Sequence, residues 1–290
     1  MSDPKVSVLT LVKGRQDQLR NVVRFLGNQT RLPDELVVAC MDSLDRTDLF
    51  ADFPIKLVDV EDGGLPLAKA RNQAASAASG GLLIFLDVDC LPSPDLVASY
   101  TKSYVSHPEA AFMGEVFYLP ALPQERFEEG ENFNLLMGEG VRHPSKRPFT
   151  EFLEPEPDHG ELWGLSFALG STTFRDVGGF DERFERYGAE ETDFATALDH
   201  ADVPLYRCPA ALALHQHHVV HIPPVQHFDS IVANAQRFYD KWGRWCMDYW
   251  LGQFREKGWI EWTADSIKVL ERPGEADLAE SQQNPEVRFS

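Results

Sequence analysis

The sequence predicts an α/β protein with a mostly parallel central sheet and helices on both of its faces. Two observations carry this. Over the first ninety residues, short continuous apolar runs alternate with stretches of helical apolar spacing. The strand runs also lack the polar alternation of a half-exposed sheet, as expected for strands covered on both sides. Composition agrees: 290 residues with 43% apolar and 25% charged side chains suit a soluble globular chain with a sizeable core.

Each element follows in turn. Val6–Val12 reads VSVLTLV, a buried strand, and residues 15–28 place Leu19, Val22, Val23 and Leu26 at helical spacing. Residues 35–40 and 55–58 read as further strands, residues 66–79 as an Ala-rich helix opened by Pro66, and residues 82–86 as a fourth strand. A helix is expected over 94–106 and a strand over 111–119. Residues 120–161 are polar, with prolines and no sustained period; from Leu122 to Glu161 ten acidic residues face four basic ones, too polar for a core, so a mobile flap is expected. Order returns at 162–174, with a helix from about 189 to 200 and a strand at 205–208. Residues 223–265 form an aromatic-rich helical extension, and 266–290, polar and holding Pro273 and Pro285, are expected to be a disordered tail. The main domain is thus expected over 1–222.

Charge narrows the partners. With 27 basic and 46 acidic residues the net charge is −19, and no basic cluster exceeds Lys146-Arg147, which argues against nucleic-acid binding and means that an anionic ligand needs a metal bridge. Cys40, Cys90, Cys208 and Cys246 show no C-x-x-C spacing, and no apolar run approaches the roughly 18 residues that span a bilayer. The N-terminus enters a strand pattern with no signal-peptide core, so a cytoplasmic protein with reduced thiols is expected.

The most informative segment is LLIFLDVDC, residues 82–90. With 23 Asp in the chain, chance alone gives about 1.8 D-x-D triplets, so the triplet is weak evidence by itself. Its place is stronger evidence: two carboxylates leaving a buried strand, at the sheet edge where such folds bind ligands, form a hard oxygen pair suited to Mg²⁺ or Mn²⁺.

Here the chain resembles inverting glycosyltransferases of family 2. The likeness rests on VSVLTLVKGR, VVACMDSLDRTD, LAKARNQAASAA, the DVDC exit and VGGFDERFERYGAEETDFATAL, in that order, over about residues 5–220. It implies the GT-A fold, a Rossmann-like sheet whose nucleotide-binding part covers about 5–91 and whose acceptor and catalytic part covers about 92–222. It further implies a nucleotide-sugar donor, a UDP-sugar, and a carbohydrate or other hydroxyl acceptor. Asp89 would bind the metal and Asp87 the ribose or the metal's waters, with Val88 between them. Asp42 would hold the base, Thr10 and Val12 would line the nucleotide pocket, and Arg71 would help hold the donor. Where the family usually carries Glu-Asp, this chain has Glu190-Glu191, and Glu191, or else Glu190, would be the base that takes the acceptor's proton. Acidic residues also suit a first helical turn, so simple capping is the rival reading there. Asp193 is read as an acceptor or structural contact.

In Leu214-His215-Gln216-His217-His218, related enzymes place a metal-binding histidine, and His215, nearest the strand, is the first choice, with His217 and His218 as alternatives; imidazole favours Mn²⁺ over Mg²⁺. Trp163 is read either as a core residue or as a ring stacking on the acceptor. The aromatic C-terminal helices are read as packing on the catalytic domain, with a homo-oligomer or membrane-surface face as the alternative. Rival functions are a nucleotidyltransferase, which lacks its glycine-rich basic first loop here, and a non-catalytic nucleotide-sugar-binding module.

Overall fold

A computed structural model describes residues 3–43, 45, 49–61 and 64–289. In chain order the elements are β1 (Val6–Val12), α1 (Gln16–Gly27), β2 (Glu35–Cys40), β3 (Ile55–Asp59), α2 (Leu67–Ala77), β4 (Leu82–Leu86), β5 (Cys90–Pro92), α3 (Leu96–Ser106), β6 (Ala111–Tyr118), α4 (Gln124–Glu128) and α5 (Phe133–Met137). They continue with β7 (Val141–Arg142), β8 (Glu154–Pro155), β9 (Ser166–Gly170), α6 (Ser171–Asp176), α7 (Glu190–His200), β10 (Leu205–His215), α8 (Phe228–Trp242), α9 (Asp248–Glu256), β11 (Ile260–Trp262), β12 (Ile267–Val269) and α10 (Glu275–Ser281).

The main sheet runs β3-β2-β1-β4-β9-β6-β10-β5, with β7 beside β6 and β8 beside β10. Its first four strands are parallel, and β9 enters antiparallel between β4 and β6. Strand alternation sorts the core into two layers. Val6, Val8 and Val12 pack with Leu19, Val22 and Leu26 of α1, while Leu9 packs with Ala68, Ala70 and Ala74 of α2. The small alanines let α2 lie close to the sheet, which brings Arg71 over the strand ends. The expected fold is present, and β10 runs seven residues beyond its expected end, so that His215 closes a strand instead of opening a loop.

Two expectations change. Residues 120–161 carry α4, α5, β7 and β8, and their charges are largely spent on ion pairs: Arg126 with Glu131 and Glu139, Arg142 with Glu115 of β6, Lys146 with Glu161, and Arg207 of β10 with Glu156 and Glu161. A polar segment can be built in without a core of its own when its carboxylates meet cations from the sheet. Residues 266–290, expected to be disordered, form β12 and α10 and then cross the histidine run. Gln282 bridges His221, and the Arg288 guanidinium donates to the main-chain carbonyls of Tyr118 (3.2 Å) and Glu139 (2.6 Å). Main-chain partners of this kind leave no trace in composition.

The aromatic extension packs inward. Phe228, Ile231, Phe254 and Trp259 form a core that Tyr187 and Met247 join, and Asn234 Nδ2 donates to the carbonyls of Glu185 (2.8 Å) and Gly188 (2.9 Å). The extension thereby fixes the turn that leads into α7. Among the described residues no helix is long and apolar enough to cross a membrane.

Candidate active site

The site gathers at the carboxyl ends of β1, β4 and β10 and at the first turn of α7. As β4 ends, the chain turns tightly: Asp87 N–H donates to the Leu165 carbonyl (2.9 Å), Cys90 N–H to the Asp87 carbonyl (2.9 Å), and Asp89 N–H to Asp87 Oδ1 (2.9 Å). The Gln216 N–H then donates to the Asp89 carbonyl (2.6 Å), which ties this turn to the end of β10. Ligand atoms of Asp89, His215 and His218 consequently lie within 4.8 Å of one another.

The chemistry of these three groups fits a divalent cation. His215 is buried, its Nδ1 has no hydrogen-bond partner, and burial, followed by the charges of His218 and Arg15, holds its pKa down at about 3, so the ring is neutral with a lone pair to offer. Burial, and then the Asp87 carboxylate, push Asp89 up to about 7. The one long contact from Arg15 Nη1, at 3.3 Å, offsets this burial only in part, and a divalent ion would supply the rest. His218, an alternative on sequence, joins His215 here, whereas His217 Nε2 bonds the Val287 carbonyl and stands outside the group. Asp87 also stands apart from the three: burial raises its pKa, opposed by the Asp89 N–H and then by the charge of Arg71.

Facing this group is a second constellation. Arg71 of α2 is buried and donates to Glu190 Oε1 (3.1 Å) and Glu191 Oε1 (2.6 Å). Burial works against its charge, but Glu191 and Glu190 more than restore it. Glu191 Oε2 accepts the Gly164 N–H at 2.9 Å. The two glutamates differ in access: the Glu190 side chain is 5% exposed and that of Glu191 32%. Burial, and then Glu191, push Glu190 up to about 6. Glu190 therefore braces Arg71, while Glu191 faces the cleft with its orientation fixed from two sides. The turn before α7 is held in left-handed backbone at Gly188 (φ 99°) and Ala189 (φ 69°), strain of a kind that collects at functional sites. Stacked rings clamp the helix to the sheet, with Phe180 on Phe194 at 4.3 Å and Phe85 on Phe167 at 4.6 Å between centroids.

Other expected residues fall differently. Asp42 Oδ2 accepts the Gly14 N–H at 2.7 Å and so joins the exits of β1 and β2, while Leu44 and residues 46–48 of that exit lie outside the described residues. Thr10, Val12 and Val88 are buried, and the side chains of Val12 and Val88 pack into the apolar core, which leaves their main chain to line the end of the sheet. Asp193, read as an acceptor or structural contact, makes structural bonds: at 2% exposure it accepts from Lys241 Nζ (2.9 Å) and Trp242 Nε1 (2.7 Å) and fastens α7 to α8. Trp163 is half-buried, with the Lys146 ammonium 3.8 Å from its ring centroid and His143 edge-on at 5.0 Å. Sequence reasoning passed over two participants: Gly164, whose missing side chain lets Glu191 approach, and Arg15, whose Nη1 lies 3.3 Å from Asp89 Oδ1.

Comparison with known proteins bears on the fold and the family. The chain is 29% identical over 225 residues to validoxylamine A glucosyltransferase of Streptomyces hygroscopicus subsp. limoneus, a match that covers 70% of the chain and 49% of the relative. It is 27% identical over 282 residues to the uncharacterized glycosyltransferase YfnE of Bacillus subtilis (strain 168), covering 82% and 70%. The chain thus spans about half the length of the first of these relatives. Among solved structures, GalNAc-T7 with UDP, GalNAc and Mn²⁺ superposes with a TM-score of 0.56 at 16% identity, over 74% of this chain and 44% of that one. Residues 1–349 of S. aureus TarS superpose with a TM-score of 0.55 at 15% identity, over 81% and 65%. These likenesses establish the GT-A fold. The model of the family described as "Glycosyltransferase like family 2" matches residues 50–240, more than half of the chain, and the chain belongs to that family.

Proposed function

We propose that the protein transfers a sugar from a UDP-sugar to an acceptor hydroxyl with inversion at the anomeric carbon. The observation that carries this is the placement of a cation-ready group, Asp89, His215 and His218, opposite a cleft-facing, doubly oriented carboxylate, Glu191. GalNAc-T7 was solved with UDP and Mn²⁺ and TarS with UDP-GlcNAc, which supports a UDP-sugar donor and a divalent ion. Mn²⁺ held by Asp89, His215 and His218 would offset the charge of the departing nucleoside diphosphate. Glu191 accepts the proton of the acceptor hydroxyl as that oxygen bonds to the anomeric carbon and the bond to the diphosphate breaks on the opposite face. Arg71 and the Gly164 N–H hold the carboxylate in line for that transfer. Glu190 keeps Arg71 in place, Asp87 faces the ribose, Asp42 marks the base end of the donor cleft, and Trp163, adjoining Gly164, offers a ring face to the acceptor.

In this reading residues 1–222 form the catalytic unit and 223–265 a brace for α7. The four cysteines are buried thiols, which suits a reducing, cytoplasmic setting. Incubation with Mn²⁺ and a panel of nucleotide sugars, with detection of released nucleoside diphosphate, tests the proposal. Turnover of a UDP-sugar that EDTA abolishes is expected; turnover indifferent to EDTA, or confined to non-uridine donors, would count against it.

A further inference from the structure

We infer that Arg15 is a stand-in cation, holding Asp89 while no divalent ion is bound and turning to the donor's diphosphate once one is. The inference rests on the donor and metal reading above and adds a residue to it. Arg15 lies between β1 and α1, and its main chain is fixed, the carbonyl accepting the Leu19 N–H at 3.0 Å. The side chain is held less firmly. Among the described residues one contact, Nη1 to Asp89 Oδ1 at 3.3 Å, joins it to the site, and it is 30% exposed. Arg71 provides the contrast: contacts of 2.6 and 3.1 Å to two carboxylates, and 5% exposure. One guanidinium is built in; the other is free to swing about its own side-chain torsions.

Its position gives that freedom a purpose. Its Nη1 reaches Asp89, whose ligand atom lies within 4.8 Å of those of His215 and His218, so the guanidinium stands at the edge of the space that the three groups enclose. Two cations cannot share one carboxylate oxygen without repulsion, and a divalent ion takes Asp89 with the greater charge. The displaced guanidinium then needs an anion within its reach. In a chain of net charge −19, with Arg71 committed to Glu190 and Glu191, the diphosphate held beside Asp89 is that anion, and a planar fork matches its oxygens. Arg15 thus prevents the buried acidic site from standing uncompensated when empty, and later meets the leaving group.

Two affinities should move in opposite directions. Mn²⁺ titration followed by electron paramagnetic resonance, without nucleotide, should show Arg15→Ala binding the ion roughly fivefold more tightly than the wild type, because a competing charge is gone. Calorimetry with UDP at saturating Mn²⁺ should show the same variant binding UDP roughly tenfold more weakly, with Arg15→Lys in between. A purely structural role would weaken both. Mn²⁺ affinity that is unchanged or reduced in Arg15→Ala, or undiminished UDP affinity, overturns the inference. If the wild type binds neither Mn²⁺ nor UDP with Mn²⁺, the parent reading falls and takes the inference with it.

Discussion

Replacing Gly164 with alanine tests whether the orientation of Glu191, and not just its presence, sets the rate. A Cβ on Gly164 would overlap Glu191 Oε1 and Cδ and come within 2.9 Å of Arg71 Nη2. The backbone there is not left-handed, so alanine itself is unstrained, and the atoms in its way are the far ends of two side chains. The carboxylate should yield by about 1 Å, at a stability cost of about 1–3 kcal/mol. The catalytic cost adds to this, since a misplacement of that size is worth about 10²-fold in rate. Nucleoside diphosphate release with Mn²⁺ should therefore fall about 10²-fold in Gly164→Ala, with UDP affinity within about threefold of wild type. Glu191→Gln should fall at least as far, and the double variant no further, because both changes remove one function. Gly252→Ala, in α9 with nothing within 4 Å of the added carbon, is the control and should be fully active. A fully active Gly164→Ala would show that Glu191 is not held for proton transfer by this contact, and the assignment of the base would have to move.

Asp89→Ala should abolish Mn²⁺-dependent UDP binding in calorimetry, and retained binding would remove Asp89 from the ion's shell. Asp193→Ala removes the acceptor of the half-buried Trp242 N–H and one of the two carboxylates on Lys241, which keeps Asp181, so it should lower stability by about 1 kcal/mol in urea unfolding while turnover per folded molecule persists; a lost rate with unchanged stability would assign Asp193 to the acceptor. Glu190 gives a pH signature. Burial pushes its folded carboxyl up to about 6, against 4.5 for a free glutamate, so the native state binds the extra proton between those values. Its contribution is complete below pH 4.5 and is lost as pH rises through 6, a difference of about 2 kcal/mol. Wild-type stability should drop by that amount relative to Glu190→Gln between pH 4.5 and 7, and a flat difference would refute the burial argument.

Which parts of the site could be read from the chain follows from how far apart their makers lie. Asp87 and Asp89 were legible because one strand and its exit carry them, in a run of nine residues from Leu82 to Cys90. His215 was legible only as the first histidine after the last core strand, which was expected to end near 208 and in fact runs to 215, and its partner His218 could be separated from His217 only once the tail had claimed His217 through Val287. Gly164 and Arg15 were not, because their roles exist only across 27 and 74 residues of intervening chain. The glutamate pair stands between these cases. Adjacent helical residues point about 100° apart, so the sequence requires the two to differ in burial without saying which is inside. The helix answers through its own spacing: Glu190 lies in line with Asp193, Phe194 and Leu198, all buried, and Phe194 is locked into the ring stack on the sheet. That face cannot turn outward without pulling Phe194 off Phe180. Glu191 is thereby left as the exposed member of the pair, and which glutamate is offered as the proposed base is decided by a phenylalanine three residues beyond it.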